Sequence, residues 1–297
     1  MPPGSHVPPL GGSAGFPGAS VPSGPPPGSP GGPPPRSHSS LPVIILIATA
    51  VVGGVALISI LVSTLILSRS VATAQSFQEI DGAGIAAVRV ESSAAAFALE
   101  FGDVTTAQLE AEGSSRSTWQ LGRSGDAVTV ASSRDWCFFW CGGEVENVTL
   151  TLPARYNDGS LDLTMSLAAG SFFANGVFRD LDLEMAAGSM DVSGTAESVD
   201  VDVSAGSALV NMEDVSTASF QIAAGRVVSE LRGSIPDQIS IDVSAGSLNL
   251  TVPEGTYNVS ADVAAGSFDN LLTSSPESTS AIDVDVAAGS VTLQPGR

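Results

Sequence analysis

The residues best equipped for chemistry fall in one six-residue stretch, Trp136-Cys137-Phe138-Phe139-Trp140-Cys141. Two thiols in an oxidising compartment are expected to pair, which makes Cys137 and Cys141 a disulfide candidate. In an extended strand positions i and i+4 lie about 13 Å apart, so the bridge requires a turn. Closing so short a loop contributes only about 2 kcal/mol. The four aromatics stand out in a chain that is only 5% aromatic. Trp136, Phe138, Phe139 and Trp140 can plug the end of an apolar core. They can equally form a tip that enters a membrane interface or a partner pocket, since both favour Trp and Phe. The sequence leaves both readings open.

Other chemistry is limited by what is missing. The two histidines, His6 and His38, lie near the start of the chain, and there is no lysine. Residues 79–297 therefore lack the parts for Ser-His-Asp, Cys-His or Ser-Lys nucleophile systems. A zinc site there would have only Cys137, Cys141 and carboxylates. No catalytic residue, cofactor or metal is expected. Asp202, Asp242, Asp262 and Asp285, with Glu184, fall at equivalent places in a repeat, where they could form a cation ladder. Ser166 and Gln221 interrupt that ladder, and no Gly-Gly-x-Gly-x-Asp motif accompanies it. A solvated face that keeps molecules apart is the simpler job for these carboxylates.

The element that must carry these residues is a repeat. Ala-Ala-Gly-Ser or a close variant recurs with glycines at 170, 188, 206, 225, 246, 266 and 289. Three, five and seven positions before each glycine the residues are apolar, as in Val199, Val201 and Val203, and the intervening positions are mostly polar. That period of two marks a strand with one buried face. Alternation resumes after the glycine, as in Leu248 and Leu250, so a second strand follows a sharp corner. The expected fold is all-β, a single-stranded β-solenoid with coils of about twenty residues. A sandwich would not need the same four residues at the same place in every second strand.

Residues 1–40 hold thirteen prolines, nine glycines and no Asp, Glu or Lys. Such a segment cannot bury enough apolar surface to order itself and is expected to be a disordered tail. The uncharged stretch that begins at Leu41 and ends at Leu67 is long enough for one tilted membrane span, giving a transmembrane helix over 41–68 and a linker over 69–78. Ala72-Thr73-Ala74 resembles a cleavage site, so a removable leader is the alternative. Residues 79–160 read as irregular capping coils and 161–297 as regular ones. All 31 acidic residues lie beyond the apolar stretch, and the whole chain carries a net charge of −20. A short basic tail inside and an acidic domain outside fits a single-pass signal anchor.

With Val148-Thr-Leu-Thr-Leu-Pro153 ahead of the string of strand–Ala-Gly-Ser–strand repeats, residues 79–295 resemble a bacterial domain of unknown function, the putative-adhesin family with a toast-rack-like β-solenoid. The tail followed by one span is similar to actinobacterial members. The resemblance implies a surface-exposed, non-catalytic adhesin-like or scaffolding module whose partner is a cell-envelope component or another protein, and no nucleic acid. It carries no catalytic residues. An envelope-stress sensor is the alternative, and a glycan-active enzyme the more remote one.

Overall fold

The computed structural model describes residues 75–113, 117–134 and 146–296. The expected tail and span lie outside them, and no helix among the described residues is long and apolar enough to cross a membrane.

Seven strands come first: β1 (Gln75–Asp81), β2 (Ala87–Ser92), β3 (Ala95–Gly102), β4 (Thr106–Glu112), β5 (Ser117–Ser124), β6 (Ala127–Arg134) and β7 (Asn147–Pro153). The regular repeats follow as β8 (Asp162–Leu167) and β9 (Gly170–Val177), then β10 (Asp180–Met185) and β11 (Ser189–Thr195). Next come the long bent strands β12 (Ser198–Glu213) and β13 (Thr217–Arg232). Last are β14 (Gln238–Val243), β15 (Ser247–Val252), β16 (Thr256–Val263), β17 (Ser267–Asn270), β18 (Thr273–Ser274), β19 (Ala281–Val286) and β20 (Ser290–Pro295).

The predicted solenoid is present and its register is the one the alternation dictates. Each coil has a leading strand before the glycine and a trailing strand after it, and each pairs in parallel with its equivalent in the next coil. One inner column of the leading wall runs Val90, Met165, Leu183, Val201, Phe220, Ile241, Val284, and each of these is buried. A one-residue slip would turn all of them to water. Burying each such side chain contributes about 1.5–3 kcal/mol.

The glycine corners stack directly on one another. Gly188 has φ +124, and a Cβ there would overlap the carbonyl oxygen of Gly170 in the coil below. The close approach of two backbones, together with positive φ, requires glycine.

The coils do not stack in the order in which they are made. In the leading wall β19 lies between β14 and β16, and in the trailing wall β20 lies between β15 and β17. The last repeat is thus inserted beneath the one before it. Its inner residues Ile282, Val284, Val286, Val291 and Leu293 are all buried. The displaced coil has Ala261 and Asn270 at inner positions and is better suited to an end, because it leaves less apolar surface in water. The other end shows the same inversion. Coil β6–β7 packs outside coil β2–β3, and β8–β9 packs on the inside of it.

That first end is closed by antiparallel strands. β5 pairs with β6, β4 with β7, and β1 with β4. The Gln78 side chain bridges β1 to β5, donating to the Trp119 carbonyl at 2.7 Å and accepting from the Leu121 N–H at 3.0 Å. Trp119 is buried against Phe97, with ring centroids 5.9 Å apart. Strand thus begins at Gln75, inside the stretch expected to be linker. β1 is a polar edge strand, with Ser76 and Gln78 on its half-buried face, so it lacks the apolar alternation that identifies the others.

Candidate binding groove

Side chains on the trailing strands alternate between the core and the outside. Positions one, three and five after each corner glycine therefore form three parallel rows on the outer face. In β9, β11, β12 and β13 the first row is Ser171, Ser189, Ser207 and Arg226. The middle row is Phe173, Asp191, Leu209 and Val228, and the third is Asn175, Ser193, Asn211 and Glu230. Phe173, Leu209 and Val228 are 48%, 38% and 39% exposed, so an apolar strip stands in water between two polar rails. The first two rows line a groove of about 500 Å³. At about 4.8 Å per coil it extends roughly 14 Å from Phe173 to Val228.

Arg226 stands where the other six repeats have serine. It is exposed and has no acceptor among the described residues. Glu230 in the third row is engaged by Arg232 in a two-point contact at 2.7 and 2.9 Å, which holds its carboxyl below the ordinary value. A cation at one end of the strip, Asp191 within it and hydroxyls beside it make an amphipathic surface suited to binding. No nucleophile–base pair is assembled there.

The leading wall carries the aligned carboxylates. Asp182 pairs across with Asp200, and Glu184 with Asp202, which places four acids in a two-by-two array. Asp242, Asp285 and Asp262 continue the column at the far end. Desolvation pushes the carboxyls of Asp182, Asp200, Asp202 and Asp242 up from their ordinary value. Like charges add to this, Asp182 and Asp202 acting on Asp200, Glu184 and Asp182 on Asp202, and Asp285 on Asp242. Among the described residues no three such groups converge as metal ligands would.

Trp136, Cys137, Phe138, Phe139, Trp140 and Cys141 lie outside the described residues, in the connection between β6 and β7. The structure therefore does not bear on the residues first singled out for chemistry. The groove residues were missed because the repeat was read for what its copies share. Their signal was departure from it: apolar Phe173, Leu209 and Val228 at outward positions, and Arg226 in a column of serines.

No curated protein matches the sequence. Among solved structures, a protein described as a "putative adhesin" from Bacteroides fragilis aligns over 77% of this chain and 100% of its own, with TM-score 0.48 and 11% identity. A second "putative adhesin", from Parabacteroides distasonis, aligns over 75% and 97%, with TM-score 0.39 and 12% identity. A third, from Parabacteroides merdae, aligns over 75% and 96%, with TM-score 0.38 and 11% identity. Residues 86–295, which hold every parallel coil, match the Toastrack family, DUF4097. The chain therefore belongs to the Toastrack DUF4097 family.

Proposed function

We propose that this chain is a non-catalytic, adhesin-like binding module of the bacterial surface. In this reading the stretch from Leu41 to Leu67 anchors it and the acidic solenoid stands outside the cell. The observation that carries the reading is the apolar strip Phe173–Leu209–Val228 held in water beside Arg226. A soluble domain gains nothing from three large apolar side chains aligned on an outer row, and such patches mark contact sites. The chain's net charge of −20 keeps like molecules apart. The partner is a component of the cell envelope.

The full-length chain should retain envelope fragments of the producing bacterium, and Phe173→Ser combined with Leu209→Ser should abolish retention with little change in melting temperature. Equal retention by the variant refutes the reading. Topology is tested separately. In intact cells a cysteine introduced at Ser275 should react with an impermeant thiol reagent and one at Ser20 should not. The reverse pattern would place the solenoid in the cytosol.

A further inference from the structure

The ligand class of the groove follows from its cross-section and charge, on the premise that the chain is a surface binding module. We propose that the groove binds an acidic oligosaccharide, laid along the solenoid axis across four coils with a carboxylate seated on Arg226.

The cross-section is that of a sugar. A pyranose ring presents an apolar C–H face ringed by hydroxyls. The groove presents Phe173, Leu209 and Val228, with the Asp191 carboxylate between the first two as an acceptor for sugar hydroxyls, and is bordered by the hydroxyls of Ser171, Ser189 and Ser207. Beyond it, on the other side, the same strands carry Asn175, Ser193 and Asn211. The Asn175 amide donates to the Ser193 hydroxyl at 2.8 Å, which joins two members of that row. Coils repeat at about 4.8 Å, close to the advance of one equatorially linked ring, so successive rings fall on successive rungs.

Charge selects among sugars. Arg226 faces the groove without an acceptor among the described residues, and its planar guanidinium suits two-point binding of a carboxylate. The chain as a whole carries −20, which repels a densely charged polymer. One carboxylate among neutral rings satisfies both conditions. A fatty acyl chain does not fit. Its binding depends on enclosure, and Phe173 on this open face keeps 48% of its surface in water.

The test is calorimetric titration of the full-length chain in mild detergent with two probes. One is a β-1,4-linked glucose tetrasaccharide, and the other is the same molecule with a glucuronate as one terminal ring. The acidic probe should bind about tenfold more tightly, the effect of one charged hydrogen-bonded pair. Arg226→Ser, which restores the residue of the other repeats, should erase that preference without shifting the melting temperature. Phe173→Ser should weaken both probes. Equal affinities, no binding of either sugar, or tighter binding of a leucine-rich peptide of the same charge would overturn the proposal. If envelope retention still depends on Phe173 and Leu209 in those cases, the oligosaccharide is wrong and the binding-module reading stands.

Discussion

At the end built from β1, β4 and β5 the core stops behind antiparallel strands, with Trp119 3% exposed and Leu109 1% exposed. At the end built from β16 and β17 it stops with no further coil over it among the described residues. Val263, whose equivalents in the neighbouring coils are buried, is 38% exposed there, and Leu271 is 64% exposed. The outer edge of β16 is paired only at Thr256 and Tyr257, by the two-residue β18. Parallel coils cannot finish themselves, because each leaves its successor an edge and an inner face. The two ends show two remedies. The first changes strand direction and covers the core. The second makes the last coil less apolar, and charges it with Asp262 and Asp269 at its edge, which discourages another chain from pairing there.

The largest test of this contrast is at the closed end. Trp119→Ala should cost about 3–5 kcal/mol, read as a lower midpoint in denaturant, because it opens a cavity under the cap. Wild-type stability would mean that the antiparallel layer does not seal the core. Gln78→Ala should cost about 1–2 kcal/mol by leaving the Trp119 carbonyl and the Leu121 N–H without their bridge. Hydrogen exchange at Leu121 should quicken, and unchanged protection would place the closure elsewhere.

The third test uses pH and concerns the coils away from the cap. The carboxyls of Asp182, Asp200, Asp202 and Asp242 are raised in the fold, so the folded form holds their protons more tightly than the unfolded chain does. Stability from this source is fully present below the ordinary carboxylate pKa of about 3.9 and is lost as pH rises through the elevated values. Asp158 and Glu230 act in the opposite sense, because hydrogen bonds hold their carboxyls low. Acidification toward the carboxylate range should therefore raise the melting temperature through these groups, and Asp200→Asn should flatten that slope. A slope unaltered by Asp200→Asn would dissociate it from the array. The smallest effect is expected at the open end, where Val263→Ala should change stability by no more than about 0.5 kcal/mol. A loss comparable to that of Trp119→Ala would show that something covers this end.

Much of the fold could be read directly. Val201, Ile241 and Val284 alternate with acids, and only one register buries the first set and exposes the second. The order of coils could not be read, because parallel coils with the same apolar pattern are interchangeable as neighbours. The one trace of the inversion is the longest interval between glycines, from 266 to 289, which leaves chain enough to step back. Among the cap strands β1 was hidden by its polarity, whereas β4 alternates Ala107, Leu109 and Ala111 with polar residues. Trp119 looks like any lone aromatic until β5 is seen lying over Phe97. The groove was half legible, since Arg226 breaks a column of serines. What that break means depends on Phe173 and Leu209, which are 36 residues apart in sequence and two coils apart in space.

The inserted last repeat also bears on how the molecule is completed during synthesis. β16 and β17 emerge before β19 and β20, yet their lateral partners along the coil are β19 and β20. A chain halted before Ala281 has its penultimate coil with only the two-residue pairing to β18 and without the neighbour it lies on. The final segment must enter as a wedge between coils already made, and only then do the last forty residues lock together. An ordinary solenoid loses one rung when cut short, whereas this one loses the joint that holds its end, so interrupted products are left loose and open to proteolysis.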